Sequence, residues 1–319
     1  MTASAPGPAQ HRAGIVGAGS IRVAFAVQFA AAGFRVGLFD PLPKALERSR
    51  ADVRSRLALL HAHGLLGEEV SEVEAHIAWC AEIAEAVRGA DLVQECAPER
   101  VQLKRVLFAQ VTESAPRGAV LASSSSAIAA SAIAGGEPFA DRLIVGHPGN
   151  PPYLLPVIEV VPSPATRPDI VDAAVAFYRD AGLRPVRLQR EVEGFLFNRL
   201  QGALLREAYC LVRDGVASVD DIDEVVRSGL GRRWSVIGPF ETVDLNTRGG
   251  LASHAEKMGP AYERMGAERG QRDPWTPELV ADATAQRRAL LPLDLWDERV
   301  RWRDEQLMRL TLVWDAVPR

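Results

Sequence analysis

A histidine and a glutamate stand where acid–base chemistry could be performed. His147 lies in the stretch GHPGNPP (146–152), and Glu159 lies in PVIEVVP (156–162), twelve residues further on. An imidazole titrates near neutral pH, so His147 is suited to take the proton of a hydroxyl group during a hydride transfer. A nearby carboxylate fixes the tautomer of such a ring and raises its basicity. The two residues together therefore predict a general base with an orienting partner.

A glycine turn near the start of the chain predicts a dinucleotide site. The stretch AGIVGAGSIRVAFAVQFAAAGFRVGLFD (13–40) is typical of a strand, a turn with Gly17 and Gly19, a helix that begins near Ser20, and a second strand that Asp40 closes. The turn lets backbone approach a pyrophosphate, and the helix N-terminus attracts its charge. A carboxylate at Asp40 takes the adenosine ribose hydroxyls and repels a 2′-phosphate. The unit therefore predicts NAD rather than NADP.

Arg22 stands where the third glycine of G-x-G-x-x-G is expected. A side chain there interferes with close helix–strand packing, so we expect it to swing out. It could then lie over the pyrophosphate and pair with it, the alternative that we prefer because Asp40 is intact. It could instead fill the phosphate site and exclude the cofactor. The predicted cofactor residues of this turn are Gly17, Ala18, Gly19, Ser20, Ile21 and Arg22.

The elements that must position these residues alternate along the first part of the chain. Helical stretches separate apolar runs that we predict to be strands: AGIVG, FRVGLFD, ADLVQEC, GAVLASSSS, DRLIVGHPG, LPVIEVVPS and RPVRLQR. The segment from Pro43 to about Ala90 is predicted to hold two or three helices, and NPPYLLP is predicted to be a loop. This alternation predicts an α/β fold with a Rossmann-type, mostly parallel sheet covered on both faces.

The character of the chain changes between Glu191 and Phe195. Beyond that point strand signals disappear, and SVDDIDEVVRSGLG carries a helix-capping pattern at Ser218 and Asp221. We therefore predict a C-terminal all-helical domain after the sheet domain.

Composition narrows the function classes. The chain has 319 residues, a formal net charge of −4 and three cysteines. It has no long basic run and no apolar run of the ~18 residues that a membrane span needs, so neither a nucleic-acid nor a membrane partner is expected. The cysteines are too widely spaced for a disulfide framework or a zinc site, so we expect no metal and a cytoplasmic location.

The motifs of this chain resemble those of the 3-hydroxyacyl-CoA dehydrogenase superfamily over nearly its whole length, and most closely the branch that contains lambda-crystallin and L-gulonate 3-dehydrogenase. The motifs that carry the resemblance are GAGSI, QECAPE, LKRVLFAQ, LASSSS, HPGNPPYLLPVIEVVP, GFLFNRLQ, GLGRRWSVIGPFET and WRDEQLMRL. The small, polar, proline-containing start of the chain predicts a disordered leader at 1–11. The resemblance implies an NAD-binding Rossmann domain at 12–190 and a helical substrate and dimerisation domain at 191–319. It also implies a homodimer.

The resemblance assigns roles to individual residues. His147 would be the general base, oriented by Glu159, while Ser126 would hydrogen-bond the substrate oxygen and Asn198 would help to hold the substrate. Other residues would lie beside the nicotinamide or the histidine: Glu99, Lys104 and Asn150. Three of these assignments have a structural alternative. Ser126 could belong to a polar loop, Asn198 could bridge helices, and Lys104 could be a solvated helix lysine.

Two further positions bear on the substrate. Relatives carry a larger apolar residue where this chain has Gly149, and we expect the glycine to add space and flexibility beside the base. Arg232 and Arg233, in GLGRRW, suit a bidentate clamp on a substrate carboxylate, or alternatively salt bridges between domains or subunits.

These observations support three hypotheses. The first is an NAD-dependent dehydrogenase that oxidises the C3 hydroxyl of a small 3-hydroxy acid, of L-gulonate or 3-hydroxyacyl type, to the 3-keto product. The alternative is a non-redox acid–base enzyme that cleaves or hydrolyses a β-keto acid on the same scaffold, with Arg22 blocking NAD. The third is a non-catalytic NAD-binding or structural protein. The presence of Ser126, His147, Glu159 and Asn198 together argues against the third.

Overall fold

The computed structural model describes residues 11–17, 19–235, 238–246, 250–270 and 292–315, together with positions 278, 281, 285 and 289. Ala18 of the glycine turn and residues 1–10 of the predicted leader lie outside this part. The chain forms two compact units. One comprises the described residues up to Arg199 and those from Arg301 onwards, and the other comprises those between Leu200 and Val300. The domain boundary that we expect after residue 190 stays a prediction.

One eight-stranded sheet organises the first unit. Its strands are β1 Arg12–Gly17, β2 Arg35–Phe39, β3 Ile77–Cys80, β4 Leu92–Cys96, β5 Val120–Ser123, β6 Leu143–Pro148, β7 Val157–Pro162 and β8 Arg184–Arg187. They lie in the order β3-β2-β1-β4-β5-β6-β7-β8, and every described pair is parallel except β6 with β7. The predicted fold class, a mostly parallel Rossmann-type sheet, is confirmed.

Helices connect these strands. They are α1 Ser20–Ala31, α2 Pro43–Ala62, α3 Val70–Ala75, α4 Ile83–Val87, α5 Val101–Thr112, α6 Ala130–Ala134 and α7 Pro168–Asp180, with a 3₁₀ turn at Ala140–Arg142. Successive strand residues point to opposite faces, so Ile15 and Val16 enter different apolar clusters. The first cluster includes side chains of α1, α2 and α7, and the second includes side chains of α4, α5 and α6. The sheet is therefore covered on both faces, as the alternation predicts.

The rest of the described chain is helical. It contains α8 Phe197–Arg213, α9 Val219–Glu224, a π-helical segment Val225–Leu230, α10 Gly231–Trp234, α11 Pro239–Asn246, α12 Gly250–Arg269, a 3₁₀ turn Leu293–Leu295 and α13 Trp296–Asp315. The predicted cap of α9 is present, because Ser218 Oγ accepts a hydrogen bond from Asp221 N at 3.2 Å and Asp221 Oδ2 accepts one from Ser218 N at 3.3 Å. The predicted helical C-terminal domain is confirmed.

The segment from 43 to 90 differs from the prediction. It contains the helices α2, α3 and α4, but the strand β3 lies between the last two and pairs in parallel with β2, placing Ile77 beside Val36. Four residues at the edge of a sheet are too few to show the period of a strand, so the pattern of the flanking helices obscured it.

Three further properties follow from the described residues. None of the helices among them combines the length and the apolar character that crossing a bilayer requires. No three histidine, cysteine, aspartate or glutamate side chains in this part of the chain cluster as metal ligands would. Cys80, Cys96 and Cys210 are buried, and no two of them form a disulfide.

Candidate active site

The predicted base and its partner are in direct contact. His147 lies near the end of β6 and Glu159 lies on β7, directly opposite in the antiparallel ladder. The Nδ1 atom of His147 lies 2.7 Å from Oε2 of Glu159, and both side chains are buried. An ionised carboxylate only accepts, so Nδ1 carries the proton of this contact, and in the neutral imidazole the lone pair is then on Nε2. This tautomer makes Nε2 the nitrogen that can receive a proton.

Glu159 is held from a second side by the start of α8. Its Oε1 atom accepts hydrogen bonds from the backbone amides of Leu196 and Phe197, at 2.6 and 3.0 Å. Phe195, which precedes them, is fully buried, has a φ of 50° and lies with its ring centroid 5.6 Å from that of His147. The chain is thus turned so that two amides face the carboxylate. These amides hold the carboxylate so that its Oε2 is directed at the histidine.

Ser126 and Asn198 are joined through the backbone of the serine. Asn198 Nδ2 donates to the Ser126 carbonyl oxygen at 3.0 Å, and Ser126 N donates to Oε1 of Glu99 at 3.0 Å. Both main-chain groups of Ser126 are therefore fixed, while its hydroxyl has no hydrogen-bond partner in the described part of the chain. The residue is exposed. That hydroxyl is free to bind a ligand oxygen.

Glu99 connects this loop to α5. Its Oε1 atom also accepts from Ser125 Oγ and from Ala127 N, and its Oε2 atom lies 3.3 Å from Lys104 Nζ. Partial burial acts to raise the pKa of Glu99, but the hydrogen bond from Ser125 and the charge of Lys104 outweigh it, so its pKa is lowered below the usual value. Glu99 is thus a half-exposed carboxylate that fixes the loop after β5.

Lys104 is buried, unlike the solvated lysine considered as its alternative. Its Nζ atom lies 3.0 Å from both carboxylate oxygens of Glu95 and 3.1 Å from the Ala97 carbonyl oxygen. Glu95 also accepts from Ser123 Oγ at 2.6 Å. Burial raises the pKa of Glu95, and the charge of Lys104 opposes that shift. Lys104 therefore pairs with Glu99 from a buried position on α5. A direct contact of Lys104 with the nicotinamide stays a prediction.

Gly149 does not create the expected space. A Cβ atom at Gly149 would lie 2.8 Å from the Leu155 carbonyl oxygen and 3.1 Å from Val157 Cγ1. Gly149 N also donates to the Val157 carbonyl oxygen at 2.8 Å. The expectation of added space is therefore wrong, because the turn after β6 folds onto the glycine, while the expected flexibility stays a prediction. Asn150 follows in an exposed position and is joined to Pro151 by a cis peptide bond.

The glycine turn fits a dinucleotide pyrophosphate. Gly17 has a φ of 125°, and a Cβ there would lie 2.5 Å from Ala97 N, so the end of β4 requires a glycine. Gly19 has a φ of 92°, and its Cβ would meet no described atom within 4 Å. No described side chain caps the N-terminus of α1, and its first turn has no acidic residue, while Ser20 is exposed and Ile21 is partly buried. The first amides of α1 therefore face an open anion site.

Arg22 does not swing out. Its side chain is only 2% exposed, and it turns inward to contact Asp40 Oδ2 and, at 2.5 Å, the Gly17 carbonyl oxygen. Its other terminal nitrogen donates to Ser49 Oγ. In this conformation the guanidinium is bound to the carboxylate that follows β2 and does not reach solvent. The predicted cofactor role of Arg22 stays a prediction.

Arg232 and Arg233 lie in the second unit, on α10. Both are exposed, and neither forms an ion pair with any of the residues that the structure describes. The carboxylate clamp stays a prediction.

The structure thus connects six predicted residues through hydrogen bonds, an ion pair and adjacent backbone: His147, Glu159, Asn198, Ser126, Glu99 and Lys104. The sequence-based prediction missed residues that support them, namely Glu95, Ser123, Ser125 and Phe195, and it also missed Ser49, which contacts Arg22. A detectable signal existed for Glu95. A charged residue inside the apolar strand ADLVQEC requires a buried partner, and Lys104 is the lysine of the next helix.

The chain is similar to known proteins over most of its length. The chain is 39% identical over 312 residues to a lambda-crystallin homolog of Bos taurus, covering 95% of this chain and 96% of that protein. It is 40% identical over 271 residues to an L-carnitine dehydrogenase of Nocardiopsis dassonvillei, covering 83% and 79%. A solved structure of 5-formyl-3-hydroxy-2-methylpyridine 4-carboxylic acid 5-dehydrogenase, an NAD⁺-dependent dismutase, superposes with a TM-score of 0.81 at 26% identity, covering 97% of this chain and 99% of that one.

The family models divide the chain into two matches. Residues 12–192 match the NAD binding domain of 3-hydroxyacyl-CoA dehydrogenase, and residues 194–290 match its C-terminal domain. The chain therefore belongs to the 3-hydroxyacyl-CoA dehydrogenase family and carries the family's NAD-binding domain.

Proposed function

We propose that this chain oxidises the C3 hydroxyl of a small 3-hydroxy acid to the 3-keto product, with NAD⁺ as the oxidant. The observation that carries the proposal is the contact between His147 Nδ1 and Glu159 Oε2, which leaves Nε2 available as a base. The contact lies at the carboxyl end of β6, and open α/β sheets bind their ligands at that edge.

The protein's part in the reaction is a proton transfer. His147 Nε2 takes the hydroxyl proton as the C3–O bond becomes a carbonyl, and Glu159 stabilises the imidazolium that forms. When bound, NAD⁺ supplies the acceptor for the hydride that leaves C3, so its reduction balances the oxidation of the alcohol. Gly17, Gly19 and the first turn of α1 would hold the pyrophosphate of NAD⁺.

Ser126 and Asn198 position the substrate in this proposal. The exposed hydroxyl of Ser126 donates to the substrate oxygen, on which negative charge develops in the reverse reduction. Asn198 fixes Ser126 by donating to its carbonyl oxygen. Glu99 holds the same loop through Ser126 N. In this proposal the two backbone hydrogen bonds hold the Ser126 hydroxyl beside the base.

A small hydroxy acid is the substrate class that we propose. Relatives named L-carnitine dehydrogenase occur among the similar proteins, and L-carnitine is itself a 3-hydroxy carboxylate. Another relative, from Gibberella moniliformis, is named 3-hydroxyacyl-CoA dehydrogenase. Both names describe enzymes that oxidise a hydroxyl group at C3. Arg232 and Arg233 are exposed guanidinium groups that could bind the carboxylate of a free acid.

A homodimer and a cytoplasmic location are part of the proposal. Large apolar side chains are exposed on helices of the second unit, including Leu200 at 68% and Phe240 at 75%. Such a surface is typical of a subunit interface. Cys80, Cys96 and Cys210 form no disulfide with one another, which agrees with a reducing compartment. Light scattering after size-exclusion chromatography should give twice the chain mass, and a monomer at micromolar concentration would contradict the dimer.

The non-redox alternative has one observation in its favour, the contact of Arg22 with Asp40. It requires that NAD⁺ does not bind, whereas residues 12–192 match an NAD-binding domain. Calorimetry with NAD⁺, followed by an NADH absorbance assay with L-carnitine, L-gulonate, 3-hydroxybutyrate and 3-hydroxybutyryl-CoA, distinguishes the two. Binding and NADH formation support the dehydrogenase, and β-keto acid cleavage without nucleotide binding supports the alternative.

A further inference from the structure

The side chain of Arg22 is a buried cation at the ribose end of the dinucleotide groove. It projects from the first turn of α1 toward the end of β2 and the first half of α2. One terminal nitrogen contacts Asp40 Oδ2 and the Gly17 carbonyl oxygen, and the other contacts Ser49 Oγ. A guanidinium group is thus inserted between the glycine turn and the carboxylate that follows β2.

Asp40 is consequently engaged on both oxygens. Its Oδ2 atom is paired with Arg22, and its Oδ1 atom accepts from Leu42 N at 2.8 Å. The side chain of Asp40 is fully buried. A free carboxylate at this position selects NAD by binding the ribose 2′-hydroxyl and by repelling a 2′-phosphate. The charge of Arg22 compensates that of Asp40, so the repulsion is removed.

The same guanidinium has one donor that is not used, and a turn of the side chain out of its buried position would present it to an anion. Its Nε atom is buried and has no hydrogen-bond partner among the described residues. Ser49 Oγ, which accepts from Arg22, itself donates to the Ala45 carbonyl oxygen at 2.8 Å. The single hydroxyl hydrogen of Ser49 is therefore in use, and it is the guanidinium, once turned away from Asp40, that is chemically suited to a phosphate monoester, because it binds phosphate oxygens in a bidentate manner.

We propose that Arg22 is the coenzyme-specificity residue of this chain. Its pairing with Asp40 lets the groove accept a 2′-phosphate, so the chain binds NADP⁺ with an affinity within about tenfold of that for NAD⁺. The inference rests on the proposed dehydrogenase function, because it concerns the nucleotide of that reaction. It goes further by assigning to one residue of α1 the choice between the two nucleotides.

The test is calorimetric titration of the full chain with NAD⁺ and with NADP⁺, without substrate. Arg22→Gly restores the glycine expected at this position and frees Asp40. This variant should bind NAD⁺ more tightly and NADP⁺ more weakly, changing the ratio of the two dissociation constants at least tenfold. Asp40→Asn frees Arg22 and should change the ratio in the opposite direction. Arg117→Ala removes an exposed charge before β5, at the other end of the sheet, and should leave the ratio unchanged.

The outcomes separate the possible roles of Arg22. If Arg22→Gly weakens the binding of NAD⁺ and NADP⁺ equally, the side chain binds the pyrophosphate that both nucleotides contain. If the variant binds both nucleotides more tightly by the same factor, the side chain only fills the groove. Either result overturns the specificity role while leaving the dehydrogenase function in place. If neither nucleotide binds to the wild type or to any variant, the proposed function fails as well. Opposite changes in Arg22→Gly and Asp40→Asn support the inference, and thermal unfolding of each variant verifies that it is folded.

Discussion

His147 and Glu159 are direct cross-strand neighbours in the β6–β7 ladder, with Nδ1 of the histidine 2.7 Å from Oε2 of the glutamate. β7 is antiparallel to β6, so it starts at the sheet edge where β6 ends. The loop from 149 to 156 reverses the chain direction, and the twelve-residue separation thereby becomes a contact. The antiparallel pair in a mostly parallel sheet is what assembles the dyad.

Replacement of Glu159 by glutamine should abolish most turnover without removing nucleotide binding. The amide oxygen of the glutamine can still accept from Leu196 N and Phe197 N, which directs its NH₂ group at His147. The ring then has to accept at Nδ1 and carries its proton on Nε2, so it no longer acts as a base. We expect kcat to fall by about 10²- to 10⁴-fold. Nitrogen NMR of the histidine should report the changed tautomer, and unchanged kcat would argue against the orienting role.

Ser126→Ala should separate activity from stability. The backbone of Ser126 is fixed by Glu99 and Asn198, but its hydroxyl makes no bond within the described chain. We expect kcat/KM to fall by about 10- to 100-fold, and the free energy of unfolding to change by less than ~0.5 kcal/mol. Ser55→Ala, at an exposed position of α2, serves as the control and should alter neither. Equal activities of the two variants would remove Ser126 from the site.

Lys104→Met should destabilise the sheet domain severely. The substitution leaves the Glu95 carboxylate buried without its cation, a change that typically costs about 3–5 kcal/mol. Urea unfolding measures the loss, and Gln110→Ala, exposed on the same helix, should change the unfolding free energy by less than ~0.5 kcal/mol. Adding Glu95→Gln to Lys104→Met should recover part of the stability, because the uncompensated charge is removed. A lysine variant as stable as the Gln110 control would mean that the pair is not buried in solution.

Gly149→Ala tests the close approach beside the base. Its Cβ would lie 2.8 Å from the Leu155 carbonyl oxygen, so the turn has to shift, and we expect a loss of about 1–3 kcal/mol in unfolding free energy. Gly118→Ala is the matched control, since its Cβ would meet no described atom within 4 Å. That variant should be neutral or more stable by ~0.5 kcal/mol. Equal stability of the two alanine variants would restore the idea of free space at Gly149.

Much of the frame could be predicted from local patterns. Buried parallel strands are continuous apolar runs, and the glycine turn has a recognisable spacing, so both are visible in the sequence. The edge strand β3 was not predicted, because a strand of four residues is too short to show a period in its sequence. Its pairing with β2 is a tertiary contact that no local pattern encodes.

The direction of a long side chain was not predictable. Arg22 has several rotamers, and whether it turns to solvent or to Asp40 depends on where α2 places Ser49. The space at Gly149 likewise depends on Leu155, six residues away across a loop. Burial of Lys104 depends on a carboxylate of the neighbouring strand. These are properties of packing between elements.

The most direct test of the dehydrogenase account replaces the base alone. Wild-type protein with NAD⁺ and a panel of 3-hydroxy acids should form NADH, measured by absorbance. His147→Gln should form it at least about 100-fold more slowly while binding NAD⁺ with unchanged affinity in calorimetry. NADH formation by His147→Gln at the wild-type rate, or none from any hydroxy acid by the wild type, would contradict the account.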